Sequence, residues 1–260
     1  MNQNQNQRPY KIAIPSYRRK DILKTQTLKV LEEYEIPKEC ITIFLYDEKD
    51  YNEYSELLPD YNFIKSDIED LAQRLNYITD YYNEGDYVII MEDDIQMIKM
   101  LFGNVCGKIV DLHNHFIDAY ETLTNPQIKG YLWGISPTDN SYFMKPQTSE
   151  DFKFCIGVMF GYIVRKLKEL NVSISYRQDF ERSIIYWIKD KGIVRYNNIC
   201  VKTKYRNKSG LGNGIGREVK EMEASKQLIE KYPEYVRFNK RRGGTEVQLI
   251  KNKKRDLQKN

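Results

Sequence analysis

Three consecutive acidic residues end an apolar segment, and they are the part of the chain best suited to chemistry. Residues 88–91 are Val-Ile-Ile-Met, which is typical of a strand covered on both faces, and Glu92, Asp93 and Asp94 follow directly. Adjacent carboxylates repel one another unless a cation or hydrogen-bond donors lie beside them. Mg²⁺ and Mn²⁺ prefer such oxygen ligands. An acidic turn after a core strand, with no ligand, produces the same pattern, so both interpretations stay open here.

A second candidate pair precedes this strand. Arg74 and Asn76 lie within an amphipathic segment, about one helical turn from the predicted strand ends. Arginine suits phosphate recognition because its planar fork donates two hydrogen bonds to one oxyanion. The alternative is a surface arginine that pairs with Asp70 or Glu69.

Two further acids, Asp179 and Glu181, lie in the first turn of a helix predicted over 179–189. The helix dipole stabilises negative charge at this position. Asp179 is also a good N-terminal cap, so a purely structural role is equally compatible with the pattern.

Residues 202–217 alternate cations with glycines, and Lys202, Lys204 and Arg206 supply positive charge at the start. Backbone amides of glycine-rich loops approach phosphates closely, and cations offset the charge of a departing diphosphate. We interpret this segment as a lid that closes over a phosphate-bearing ligand, the alternative being a flexible surface loop.

The elements that must position these residues alternate between strand and helix. Apolar patterns predict strands over 11–14, 41–46 and 88–91, separated by helices over 23–34 and 67–82, with Ser16 as a cap of the first helix. This order predicts parallel strands with helices on both faces, which bind ligands at the carboxyl ends of the strands. The residues expected along that edge are Pro15, Ser16, Tyr17, Arg18, Arg19, Asp47 and the three acids.

The later half has a mixed pattern. Strands are predicted over 130–135 and 154–161, and their internal glycines indicate bulges or close backbone approach to a ligand. We predict an α/β fold with a mixed, mostly parallel sheet in a single domain. Residues 1–9 are predicted to be a disordered leader, residues 10–236 form the predicted domain, and residues 237–260 are predicted to be a basic tail. Within the domain, residues 10–100 are the predicted nucleotide-binding half, and residues 101–236 are the predicted acceptor half with the lid.

Composition narrows the class of protein. The chain has 260 residues, 30% of them charged, and a net charge of +4. No apolar run approaches the roughly 20 residues that span a bilayer, so no membrane partner is expected. The four cysteines form no closely spaced pair, which favours a reducing, cytoplasmic setting over a disulfide or zinc framework.

Four elements with their polar residues follow one another in a fixed order. They are a strand with Pro15 to Arg18, a strand with Asp47, a helix with Arg74 and Asn76, and a strand with the three acids. This order resembles the nucleotide-binding half of GT-A glycosyltransferases, which are Rossmann-related. This resemblance implies a UDP-sugar donor bound through Mn²⁺ or Mg²⁺. It implies that Asp94 ligates the metal, with Glu92 completing its shell and Asp93 or Glu92 facing the ribose. The catalytic base it implies is Asp179, with Glu181 as second choice.

Short blocks at 14–19, 92–94, 154–157 and 177–181 also resemble the viral and phage glycosyltransferases associated with TET/JBP-type pyrimidine hydroxylases. This resemblance implies an inverting transfer of a hexose, with glucose expected, to 5-hydroxymethylpyrimidine in DNA, in the host cytoplasm if the chain is viral. Two alternatives stay open: a glycan or protein acceptor, and a non-catalytic nucleic-acid-binding protein with a decayed sugar-nucleotide site.

Overall fold

The computed structural model describes residues 9–203, 215–240 and 244–250, and the predicted leader up to residue 8 lies outside them. The strands in these ranges are β1 (Tyr10–Pro15), β2 (Ile41–Leu45), β3 (Asn62–Lys65), β4 (Tyr87–Met91), β5 (Ile95–Phe102), β6 (Val105–Lys108), β7 (Leu132–Ile135), β8 (Thr148–Glu150), β9 (Met159–Ile163), β10 (Val194–Tyr196), β11 (Ile199–Thr203), β12 (Val236–Phe238) and β13 (Val247–Leu249). The helices are α1 (Lys20–Thr25), α2 (Thr27–Glu33), α3 (Glu48–Leu57), α4 (Leu71–Tyr81), α5 (Leu112–Thr124), α6 (Gln178–Asp190) and α7 (Ile215–Lys231).

Eight strands form the main sheet in the order β3-β2-β1-β4-β9-β7-β10-β8. The first four of these are mutually parallel, and β7 and β10 run in the same direction. Only β9 and β8 are antiparallel to their neighbours within this sheet. The mixed, mostly parallel α/β sheet predicted from the sequence is confirmed, and the carboxyl ends of β1, β2 and β4 lie along one edge.

The central strands are apolar on both faces because helices cover both. Ile14 and Ile89 face one core, whereas Ala13 and Ile90 belong to the other. Successive side chains of a strand point to opposite faces, so alternation along β1 and β4 divides these residues between the two cores. All five residues of β4 are buried, which explains why its sequence is continuously apolar.

Several element boundaries differ from the predictions. The helix predicted over 23–34 is two helices with a break at Gln26, and Arg19, not Ser16, occupies the N-terminal cap position of α1. The helix predicted from 67 begins at Leu71, because the Asp70 side chain caps it by accepting a hydrogen bond from the Gln73 amide. Both α3 and β3 were absent from the prediction.

The glycines of β7 and β9 serve internal packing and not the ligand approach that their positions predicted. Gly161 lies against the indole of Trp133, and an added Cβ would come within 2.7 Å of the Trp133 Cε2 atom. Gly134 leaves room for Cys155 in the same way. The segment before Met159 is not a strand, so β9 is shorter than predicted.

The predicted basic tail is, in its described part, a packed hairpin. Strands β12 and β13 pair in antiparallel fashion, and Val236 and Val247 are buried in the second core. Arg177 ties this hairpin to the domain by donating to the Thr245 carbonyl at 3.0 Å. The boundary predicted at 236/237 therefore falls inside a structural unit. Within the described ranges, no helix combines the length and apolar character needed to cross a membrane.

We predict that Gly161→Ala lowers the free energy of unfolding by about 1–3 kcal/mol, because the methyl group cannot be accommodated beside Trp133 without shifting it. Urea denaturation measures this change. The matched control is Gly216→Ala on α7, where an added Cβ meets no heavy atom within 4 Å and alanine favours the helix. Equal stability of the two variants would contradict the packing role of Gly161.

Candidate active site

The acidic turn (92–94) is held in place by its backbone. Thr27 is the key contact: its hydroxyl donates to the Glu92 carbonyl at 2.7 Å and accepts from the Ile95 amide at 2.9 Å. On the other side, the Glu92 amide donates to the Val158 carbonyl at 3.0 Å. The direction in which the three carboxylates leave the sheet is therefore set by α2 and by the segment before β9.

Arg19 bridges two of the acids. Its Nη1 lies 2.7 Å from Asp93 Oδ1, and its Nη2 lies 2.6 Å from Asp94 Oδ2. These acids are buried, with 3% and 8% of their surface exposed. Asp94 Oδ1 and Arg19 Nε are also buried, and neither has a hydrogen-bond partner in the part of the chain that the structure describes.

A directed hydrogen-bond chain connects β1 to the same acids. Strand β1 ends at Pro15, and the hydroxyl of the next residue, Ser16, donates to Asp93 Oδ2 at 2.6 Å. Tyr54 therefore donates to Ser16 at 2.8 Å, and it accepts from the Arg19 amide at 2.8 Å. Burial raises the pKa of Tyr54 to about 12, so its hydroxyl keeps the proton that this chain requires.

The acids remain electrostatically strained despite these contacts. Desolvation by surrounding atoms, followed by repulsion from Asp94, Asp93 and Asp179, raises the pKa of Glu92 to about 7, although its side chain stays accessible to water at the open edge. Burial raises the pKa of Asp93 to about 6, against the opposing effects of Arg19 and Ser16. A site with this excess of negative charge favours a cation.

Asp179 lies beside the acidic turn although it is distant in sequence. An added Cβ at Gly157 would lie 3.6 Å from the Asp179 Cβ and 3.9 Å from Arg182 Nη2, and the neighbouring Val158 is bonded to the Glu92 amide. Burial raises the pKa of Asp179, and the charge of Arg182 opposes that rise. Arg182 is itself buried, with its guanidinium carbon 3.5 Å from the centre of the Phe160 ring.

Glu181 has a structural role instead of the catalytic one that was its second assignment. Its fully buried carboxylate accepts hydrogen bonds from the amides of Ser173 and Ile174, from the Ser173 hydroxyl, from Lys231 and from Tyr232. Burial alone would raise the pKa of Glu181, but these donors, Lys231 first, lower it. The carboxylate ties α6 to the loop before it and to α7.

Residues predicted to surround the nucleoside form an aromatic and charged wall at the ends of β1 and β2. The rings of Tyr17 and Tyr46 meet edge to face at 5.6 Å. Arg18 lies over Tyr17 at 4.8 Å and within 3.9 Å of Asp47, and Arg74 lies 5.8 Å from the Tyr46 ring centre. Arg18 has a φ of 52°, a left-handed conformation that turns the chain sharply out of β1.

Arg74 and Asn76 are used mainly by the protein itself. Arg74 is buried and donates to the carbonyls of Ile68 and Glu69, so it pairs with backbone and not with the side chains of Asp70 or Glu69. Asn76 donates to the Val172 carbonyl at 2.8 Å and accepts from the Val172 amide at 3.0 Å. Both residues stabilise the loops around the site, and Arg74 alone also borders the aromatic wall.

The predicted lid begins beside the acids. Lys202 lies near the end of β11, and Thr203 is paired with Ile95, which directly follows Asp94. The chain thus leaves β11 next to the acidic turn. Lys204 and Arg206 lie outside the described residues.

A divalent cation fits the chemistry of this edge. The carboxylates left for a cation are Glu92 and Asp94, since both oxygens of Asp93 already accept hydrogen bonds, whereas Asp94 Oδ1 has no partner among the described residues. Among the described residues no three His, Cys, Asp or Glu side chains are grouped as ligands. Mg²⁺ commonly binds through one or two carboxylates with the remaining ligands from phosphates and water, so this pair is sufficient.

Sequence reasoning missed Thr27 and Tyr54 as parts of the site. The sequence predicted Arg19 along this edge of the sheet but not its pairing with Asp93 and Asp94. Tyr54 lies on α3, which was not predicted, and Thr27 lies in the middle of a segment interpreted as one continuous helix. Neither carried a recognisable pattern.

No protein-family model and no curated protein sequence matches the chain. By structure it is similar to glucosyl-3-phosphoglycerate synthase from Mycobacterium tuberculosis in complex with Mn²⁺, UDP and glucosyl-3-phosphoglycerate, with 10% identity and a TM-score of 0.50 over 85% of this chain and 79% of that one. It is also similar to a Pyrobaculum calidifontis mannosyltransferase in complex with GDP-Man and Mn²⁺ (11% identity, TM-score 0.48, 86% of this chain and 63% of that one). A third similar structure is GalNAc-T7 with UDP, GalNAc and Mn²⁺ (12% identity, TM-score 0.49, 87% and 50%). The similarity to the first of these structures shows the fold: the chain has a GT-A-like α/β fold of the kind found in nucleotide-diphospho-sugar transferases.

Proposed function

We propose that the chain is a glycosyltransferase that uses a sugar nucleotide. The observation that carries this proposal is the convergence of Asp94, Glu92 and Asp179 at the carboxyl edge of the sheet, from segments far apart in sequence. Open α/β sheets bind ligands at this edge, and two carboxylates for a cation with a third for proton transfer match the needs of glycosyl transfer.

The donor is a UDP-hexose, with UDP-glucose expected from the sequence resemblance. The wall of Tyr17 and Tyr46 offers aromatic surface for the uracil ring, and Asp47 offers an acceptor for ribose hydroxyls. Asp94 and Glu92 would hold Mn²⁺ or Mg²⁺, and the ion would supply the positive charge that a diphosphate leaving group requires. Lys202, near the end of β11, adds positive charge next to the acidic turn, and the sequence continues with the cations Lys204 and Arg206.

Asp179 is the general base. Its carboxylate accepts the proton of the acceptor hydroxyl while that oxygen bonds to the anomeric carbon of the sugar and the bond from this carbon to the diphosphate oxygen breaks. Attack from the face opposite the diphosphate inverts the anomeric configuration. Burial raises the pKa of Asp179, which makes its carboxylate a stronger base, and the charge of Arg182 opposes this rise.

The acceptor is the hydroxyl of 5-hydroxymethylpyrimidine in DNA. This assignment is supported by the sequence blocks at 14–19, 92–94, 154–157 and 177–181, and by the surplus of Lys and Arg over acids. Cationic surface binds DNA in a salt-dependent manner because bound counterions are released.

The test is UDP release from UDP-glucose with Mn²⁺, comparing duplex DNA that contains 5-hydroxymethylcytosine or 5-hydroxymethyluracil with unmodified DNA. Release that depends on the hydroxymethyl group is expected. If UDP and Mn²⁺ raise the melting temperature but no DNA supports release, the acceptor assignment is wrong and glycans or proteins are the acceptors to test. If UDP and Mn²⁺ do not bind at all, the transferase proposal fails.

We predict opposite consequences for the two acids of α6. Asp179→Asn should reduce turnover by about 10²–10⁴-fold with an unchanged melting temperature, because it removes only the proton acceptor. Glu181→Gln should lower the melting temperature, because the charge that pairs with Lys231 and the backbone amides is lost. Activity assays and thermal melts of both variants check this, and full activity of Asp179→Asn would remove it as the base.

We predict a pH-dependent gain in stability for Glu92→Gln. The folded-state pKa of Glu92 is raised to about 7 from an ordinary 4.5, so folding disfavours its ionised form. The ionised carboxylate therefore lowers the free energy of unfolding. This loss of stability is absent at pH 4 and fully present above pH 7. The charged groups that face it are Asp94, Asp93, Asp179 and Arg19.

Glu92→Gln should therefore melt at a higher temperature than the parent at pH 8, with the difference vanishing near pH 4. Glu230→Gln, at an exposed position on α7, serves as the control and should show no such dependence. A gain of equal size at both pH values would contradict the origin assigned to it.

A further inference from the structure

Arg19 occupies the position of the strongest counter-charge at the acidic turn. One guanidinium makes two short charge-assisted bonds, of 2.7 Å to Asp93 and 2.6 Å to Asp94, and only 14% of its side-chain surface is exposed. Its backbone amide is fixed separately by the Tyr54 hydroxyl. The side chain can therefore change position while the backbone stays in place.

The guanidinium occupies one oxygen of Asp94. Asp94 Oδ2 is paired with Arg19, and Asp94 Oδ1 is buried with no hydrogen-bond partner among the described residues. An unpartnered buried carboxylate oxygen is costly and points to a missing partner. Because Oδ2 is already paired, a cation that coordinates this oxygen must displace Arg19.

Arg19 likewise has an unmet requirement. Its Nε is buried and has no hydrogen-bond partner in the described part of the chain. The acids satisfy only one donor on each of its terminal nitrogens. A phosphate group accepts two parallel hydrogen bonds from a guanidinium, so a diphosphate is a suitable alternative partner for the displaced side chain.

We propose that Arg19 is an internal counter-cation that a divalent cation must displace from Asp94, and that the displaced guanidinium then binds the diphosphate of the nucleotide. Cation and diphosphate consequently bind as a coupled pair, each strengthening the other. This inference rests on the proposed function for the identity of the diphosphate ligand, but the competition between Arg19 and the cation is independent of it.

The experiment titrates Mn²⁺ alone, UDP alone and UDP with saturating Mn²⁺ into the 260-residue chain by calorimetry, with Mn²⁺ paramagnetic resonance as a second readout. The variants are Arg19→Gln, which removes the charge, and Arg19→Lys, which keeps the charge but cannot span both acids. The control is Lys24→Gln, which removes one exposed charge from α1 without touching the acids. Circular dichroism confirms folding of each variant.

Removing a charge that competes at close range should tighten binding of Mn²⁺ alone by about tenfold or more in Arg19→Gln, and Arg19→Lys should show a smaller gain. UDP affinity at saturating Mn²⁺ should fall by about tenfold in Arg19→Gln, so that coupling between the two ligands is largely lost. Lys24→Gln should resemble the parent.

Unchanged or weaker Mn²⁺ binding in Arg19→Gln would overturn the proposed competition between Arg19 and the cation. If Arg19→Gln does not fold, unchanged or weaker Mn²⁺ binding in Arg19→Lys would overturn it instead. Tighter Mn²⁺ binding with unchanged UDP affinity would overturn the diphosphate role alone. A parent that binds Mn²⁺ but not UDP would count against the proposed function while leaving the competition measurable.

Discussion

Repulsion among three consecutive carboxylates is the constraint around which this edge of the sheet is built. The buried strand β4 delivers the acids to the edge of the sheet, where Asp93 and Asp94 are buried and like charges are costly. The protein offsets this cost with one bridging guanidinium from Arg19, a directed hydrogen-bond chain through Tyr54 and Ser16, and a backbone clamp from Thr27. These contacts hold β1, α2 and α3 against the end of β4. The same contacts therefore offset the repulsion among the acids and pack the elements at this edge of the sheet.

These contacts do not offset all of the repulsion among the acids. Glu92 keeps a pKa near neutrality, and one oxygen of Asp94 remains buried without a partner in the described part of the chain. Structural acidic clusters gain by satisfying every oxygen, whereas a binding site keeps unmet capacity for its ligand. The residual negative charge is thus what makes this edge suited to a cation.

The two acids of α6 illustrate how position decides the role of identical chemistry. Asp179 and Glu181 are two residues apart, and residues at this spacing face nearly opposite sides of a helix. One carboxylate consequently faces Gly157 and the acidic turn, while the other is enclosed by donors from the preceding loop and α7. Acidic character in the first turn predicts neither outcome by itself.

The sequence by itself determined the alternation of strands and helices, the parallel sheet, and the edge where residues 15–19, Asp47 and the three acids meet. Apolar periodicity is a local property of the sequence, and the rule for parallel strands follows from the order of the elements. Only the tertiary structure decided the partners of these residues. Arg19 and Asp94 are 75 positions apart, and Thr27 lies 65 positions from Glu92. Which donor reaches which carboxylate depends on helix breaks, strand register and side-chain packing, and none of these leaves a periodic signal in the sequence.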